Sequence, residues 1–202
     1  MTLPIPMPDR QPLSILRDIA ACRLCAAHLP HGPRPVVQAS ASARLLIVGQ
    51  APGRRVHETG VPWDDPSGDL LRAWLQLTPA QFYDARRIAI VPTGFCYPGK
   101  GASGDLPPRP ECAPRWHAPL LEAMPEVRLT LLIGSHAQAY YLQQARQPTL
   151  TDTVANYAAC LPRFFPLPHP SPRNRYWFIR HPWFARDVLP ALRAQVAAAL
   201  AD

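Results

Sequence analysis

Cysteines stand at positions 22, 25, 96, 112 and 160, and their spacing is the first chemical signal in the chain. Cys22 and Cys25 form a Cys-x-x-Cys pair, while Cys96 and Cys112 bracket the proline-rich stretch CYPGKGASGDLPPRPEC. Four thiolates drawn from two such regions suggest a bound metal. A thioredoxin-like redox pair would need no distant partners and would lie close to the start of a βαβ unit. Zinc held by four thiolates is a live reading, although its ligands usually come as two close pairs. An iron-sulfur cluster tolerates ligands scattered along the chain, and the wide Cys96 to Cys112 loop leans that way. Cys160, set among Tyr157, Ala158, Ala159 and Leu161, reads as a small buried hydrophobe.

Charge supplies the second signal. Twenty-one Lys and Arg against 14 Asp and Glu give a net charge of +7, and Lys100 is the sole lysine. The planar fork of Arg suits phosphate better than an ammonium does, so the excess points to a nucleic-acid partner. A GC-rich genome gives the same Arg, Ala and Pro bias, and the charge alone does not separate the two.

The elements that position these residues follow from patterning. A chain of 202 residues buries about 70% of its unfolded surface as one domain and needs no disulfide framework. An odd cysteine count, with no basic stretch leading into an apolar run, argues for a reducing, cytoplasmic setting. No run of 18 apolar residues occurs, which excludes a helical membrane span. Proline is in excess, at 27 residues where about 5% is usual, yet 48% hydrophobic residues is ordinary for a globular core, so the prolines belong to ordered loops. Residues 1–11 read as an irregular arm, and 12–202 as one domain acting as a monomer.

Short apolar runs at 43–48, 87–91, 127–133 and 164–167 each end in Gly or Pro and read as strands. Helical stretches are expected at 12–25, 68–77, 114–123, 135–144 and 151–158, with a closing helix at 183–201. This alternation predicts an α/β fold, a three-layer α/β/α sandwich around a central four-stranded parallel sheet. Ligands of such sheets bind outside the carboxyl ends of the strands. Every loop rich in Gly, Pro, His, Ser or Cys here follows a strand, so the chemistry should gather on that edge.

The strand and loop LLIVGQAPG, the continuation HETGVPW, the cysteine set and the late HPSPRN together resemble the uracil-DNA glycosylase superfamily, specifically its iron-sulfur branch, family 4. The likeness runs from Cys22 to about Arg175. It implies a [4Fe-4S] cluster on Cys22, Cys25, Cys96 and Cys112, with structural zinc as the alternative, and DNA containing a damaged base as partner. It implies further that Gln50 positions water, that Ala51 and Trp63 bind an extruded base, with Trp63 stacking on it, and that His169 stabilises the departing base. Ser171, Pro172, Arg173, Asn174 and Arg175 would form the loop that presses into DNA, with Arg180 also within reach of phosphates.

Two departures from the pattern stand out. Gln50 occupies a position where family 4 members usually carry a carboxylate, and an amide orients water without acting as a base. His57, Glu58, Asp64, Asp65 and Asp69 are nearby substitutes, with solvated loop charges as the plain alternative. Pro92 occupies the place of a base-reading Asn, leaving Thr93 or backbone groups to read the base. Lys100 lies outside any base-contacting motif, which argues against Schiff-base lyase chemistry. The implied activity is a monofunctional DNA glycosylase for uracil or a related deaminated base. The substitutions at 50 and 92 motivate the alternative of a catalytically weak iron-sulfur module that binds damaged or single-stranded DNA.

Overall fold

The computed structural model describes residues 14–201; the expected arm at 1–11 lies outside them. The chain runs through α1 (Ser14–Ala20), β1 (Leu45–Val48), α2 (Arg54–Thr59), α3 (Pro66–Leu75), α4 (Pro79–Phe82) and β2 (Ile88–Ile90). A small hairpin follows, β3 (Lys100–Gly101) with β4 (Gly104–Asp105), and then α5 (Cys112–Glu122), β5 (Leu129–Ile133), α6 (Gly134–Leu142), α7 (Leu150–Ala155), β6 (Phe164–Leu167), α8 (Arg175–Arg180) and α9 (Leu189–Leu200).

The sheet has the strand order β2-β1-β5-β6, all parallel. Leu45 lies between Ile88 and Leu129, and Ile133 pairs with Leu167. Side chains alternate between faces, so β1 feeds two cores. Leu45 and Ile47 join Leu71, Trp74, Phe184 and Leu192 on one side. Leu46 and Val48 join Ile19, Phe95, Trp116 and Leu120 on the other. Burial on both faces is why the strands read as unbroken apolar runs. The predicted α/β sandwich with its four-stranded parallel sheet is the observed fold.

Local chemistry moves several boundaries. The helix expected at 68–77 begins at Pro66, because Asp65 caps it through Gly68 N–H at 2.8 Å and proline is favoured in a first turn. The helix expected at 12–25 spans only Ser14–Ala20. The closing helix is interrupted: Phe184–Val188 forms a π-type turn before α9 begins. Pro190 lacks the N–H that a continuous α-helix would direct to Arg186, so the regular ladder restarts there. The stretch at 151–158 divides into α7 and a 3-10 turn, Tyr157–Cys160. Helices α2, α4 and α8 and the hairpin went unread because each is shorter than two periods of its pattern.

Candidate active site

The loop after β1 forms the floor of the site. Its backbone is tied to the segment after β2: Val91 N–H donates to Ile47 O, Thr93 N–H to Gly49 O and Gly94 N–H to Gln50 O, at 2.7 to 2.9 Å. The Thr93 hydroxyl also donates to Gln50 O at 2.7 Å. The main chain of Gln50 is therefore fixed while the residue borders a cavity. Gln50, Ala51, Trp63, Asp65, Pro92 and His169 line that cavity. Thr93 departs from its expected role. It is buried, its hydroxyl is spent on the Gly49 and Gln50 carbonyls, and it holds the loop instead of lining the cavity.

Trp63 reaches the cavity through an unusual backbone. Its φ of 57° lies in the left-handed region, which costs a non-glycine residue of order 1 kcal/mol. The surroundings impose it. Arg72 donates to Trp63 O at 3.2 Å and to Tyr83 Oη at 3.1 Å, and Tyr83 Oη donates to Pro62 O at 3.0 Å. The missing side chain of Gly68 leaves room for the Trp63 carbonyl, which a Cβ there would strike. The indole lies on Gly49, where a Cβ would approach the ring within 3.0 Å. Its centre is 5.6 Å from the His169 ring. One side of Trp63 thus packs against the core while the residue borders the cavity.

The five nearby candidates separate cleanly. Glu58 pairs with Arg54, Asp64 with Arg55, and Asp69 with Arg72, each toward solvent. His57 leans on His31 and Tyr97, and burial pushes its pKa down, helped by Arg34. Asp65 alone among them lines the cavity. Its Oδ1 caps α3, and its Oδ2 has no hydrogen-bond partner among the described residues.

His169 follows β6. Burial lowers its pKa below the ordinary imidazole value, opposed by the nearby Asp65 charge, so the ring is neutral at pH 7. Its carbonyl receives Ser171 N–H and Asn174 Nδ2–H, both at 2.8 Å. Ser171 Oγ accepts Arg173 N–H at 3.3 Å and starts the 3-10 turn Pro172–Asn174. HPSPRN is thus a built turn whose Asn174 braces His169. Ser171, Pro172, Arg173 and Asn174 line a wider groove that opens onto Gln50, Asp65 and His169. Arg175 faces the adjoining hollow.

His117 joins the site without any sequence signal of its own. It is buried in α5 and bonds Pro92 O through Nε2 at 3.0 Å and Tyr141 Oη through Nδ1 at 2.7 Å. Burial drives its pKa down to about 4, which fixes it as neutral, with Nε2–H donating to Pro92 and Nδ1 accepting from Tyr141. One cavity wall is therefore held by a histidine 25 residues downstream. No local pattern marks that role.

The cysteines come together elsewhere. Cys22, Cys25, Cys96 and Cys112 line one hollow with Leu29, Arg109 and Trp116. Burial pushes Cys96 up to about 11 and Cys112 up to about 12, and the neighbouring thiols add to it. Such thiols stay protonated unless a cation draws the proton off. Among the described residues no three His, Cys, Asp or Glu side chains close around a single-ion position. Cys160 stands apart, partly buried beside the second core.

A neutral histidine, an aromatic wall, an amide and a carboxylate thus share one cavity at the carboxyl edge of a parallel sheet. The family model described as the uracil DNA glycosylase superfamily matches residues 36–193. The chain belongs to that superfamily. Membership supports glycosylase-type chemistry on DNA, and the matched span contains Gln50, Trp63, Asp65, His169 and the HPSPRN turn. Cys22 and Cys25 lie before it. Among the described residues no helix is long and apolar enough to cross a membrane.

Proposed function

We propose that the protein is a monofunctional DNA glycosylase that hydrolyses the N-glycosidic bond of uracil or a related deaminated base. The observation that carries this reading is the meeting of Gln50, Trp63, Asp65 and His169 in one cavity. The extruded base lies against Trp63, whose π face accepts any base. The C1′–N bond breaks with its electron pair passing to the base, and the neutral His169 ring donates a hydrogen bond to the anion that forms. Stabilising charge that appears only in the transition state lowers the barrier. Gln50 orients a water, Asp65 takes its proton, and the water oxygen bonds to C1′. Asp65 in this role supplies from the start of α3 the carboxylate that position 50 lacks. Pro92 offers only its ring and a carbonyl already bonded to His117, so base choice falls to Gln50, Ala51 and the shape of the cavity.

In the same reading Cys22, Cys25, Cys96 and Cys112 hold a [4Fe-4S] cluster, as in family 4. The shared hollow fits this donor set: it brings four thiols from three segments together, among mostly apolar walls with the Arg109 cation beside Cys25. Held by Cys22 and Cys25 after α1, Cys96 in the loop after β2 and Cys112 at the start of α5, such a cluster would supply a cross-link between these segments. It takes no part in the hydrolysis.

Excision should be measured on duplex and single-stranded oligonucleotides carrying uracil, hypoxanthine or xanthine. Release of at least one free base, slowed about 100-fold or more by Asp65→Asn and by His169→Ala alike, is the expected result. Retention of tight DNA binding with no base released from any substrate would replace this reading with the binding-module alternative.

A further inference from the structure

Beyond the base cavity and the groove beside it, a further hollow runs between the start of α3 and α8. Pro66, Leu70, Pro172 and Phe178 wall it, with Asp69 and Arg175 at its edges. Asp69 already binds Arg72 at 2.6 Å. The hollow shares Pro66, Ser171 and Pro172 with the groove that carries Arg173. That groove shares Gln50, Asp65 and His169 with the base cavity. The three hollows therefore form one track.

The track ends beside α8, whose outer face is unusual. Tyr176 is 77% exposed and Ile179 is 62% exposed, and at a spacing of three they share a face. Arg175 and Arg180 are exposed on either side of them in sequence. Among the described residues Arg173, Arg175 and Arg180 pair with no carboxylate. The opposite side of α8 is anchored. Trp177 donates to Thr151 Oγ1 at 2.9 Å and stacks on His181, and Phe178 meets Trp74 edge-on. The helix thus presents an aromatic and an aliphatic side chain on a fixed base, between two free cations. Phosphates need the cations, and the apolar surface needs a flat apolar partner. A chain of nucleotides with unstacked bases offers both at once.

We propose that α8 is a second nucleic-acid contact, on which an unpaired nucleobase beside the excised one lies against Tyr176 and Ile179 while Arg175 and Arg180 hold flanking phosphates. This rests on the glycosylase reading for the direction of the strand, and it predicts a preference for single-stranded or frayed DNA. The test is binding of a fluorescently labelled oligothymidine strand, with a lesion-free duplex of equal length as control, alongside excision of uracil, hypoxanthine and xanthine. Tyr176→Ala should weaken single-strand binding by about tenfold and leave its salt dependence unchanged, while Tyr176→Phe binds as the parent does. Arg175→Ala with Arg180→Ala should reduce the slope of log affinity against log salt by about 1.4 on the single strand. Tyr176→Ala and Ile179→Ser that both bind like the parent would overturn the proposal. So would a self-associated parent made monomeric by either variant with DNA affinity unchanged, which would mark the face as a contact between copies. No excision by the parent, with the Tyr176 dependence of binding intact, would remove the glycosylase reading and leave the platform. Normal excision without that dependence would remove the platform alone.

Discussion

The Thr93 hydroxyl donates to the backbone carbonyl of Gln50 at 2.7 Å across 43 residues of chain. It also reaches Gly49 O at 3.2 Å. One buried side chain thereby sets the loop that carries Gln50, and it does so without entering the cavity.

Thr93→Val keeps the shape and removes the one hydroxyl proton that the Gln50 and Gly49 carbonyls share, chiefly the short bond to Gln50 O. The expected cost is about 1 to 3 kcal/mol of stability, measured as a lower urea midpoint at unchanged slope. An unchanged midpoint would show that the two backbone bonds suffice.

Asp65→Asn tests the carboxylate without disturbing α3, because Asn caps a helix about as well as Asp does. Single-turnover excision should slow by about 100-fold or more while the melting temperature holds. In the same assay Gln50→Ala should slow cleavage. Gln50→Glu should be tolerated, since it restores the carboxylate that family 4 members usually carry at that position. Equal rates for the parent and Asp65→Asn would move the proton acceptor elsewhere.

His169→Ala should cost about 100-fold or more in the single-turnover rate with substrate affinity largely kept. Asn174→Ala should cost less, since it loosens the brace on the His169 carbonyl and leaves the ring in place. A variant of Asn174 as slow as that of His169 would make the brace as important as the ring.

His117 makes stability depend on pH in a defined window. Its folded pKa of about 4 lies below the ordinary imidazole value of 6.5, so between those values the unfolded chain binds more protons. Stability should therefore fall as pH drops from 6.5 toward 4, by up to about 3 kcal/mol, and should be insensitive to this group above 6.5. Denaturant titrations on the parent and His117→Gln check it: the variant should start less stable and show a flatter slope through the window.

Cys96→Ala should abolish the brown colour expected of anaerobically purified protein and destabilise the whole domain, because metal binding is coupled to folding. Cys160→Ala should leave both unchanged. A colourless parent carrying one zinc per chain would assign the four thiols to zinc.

The parallel sheet was legible because its strands are buried on both faces and each ends in Gly or Pro, a pattern that is local and repeats. The edge on which the chemistry gathers followed from connectivity, since loops after parallel strands share one side whatever their separation in sequence. The family likeness came from motif order, and Gln50, Ala51, Trp63 and His169 do share a cavity. What the sequence left open were choices among like residues. Asp64, Asp65 and Asp69 lie within six positions, and Asp65 is the one that borders the cavity because capping α3 turns it inward. Thr93 was legible as a polar group near the site, yet its hydroxyl went to carbonyls that only folding brought near. His117 gave no signal at all, because its role depends on Pro92 and Tyr141 arriving from separate elements. Periodicity and turn chemistry act over a few residues, so the sequence determined the elements and their edge. The direction in which each polar side chain spends its hydrogen bonds depends on partners far away in the chain, and tertiary packing alone decided that.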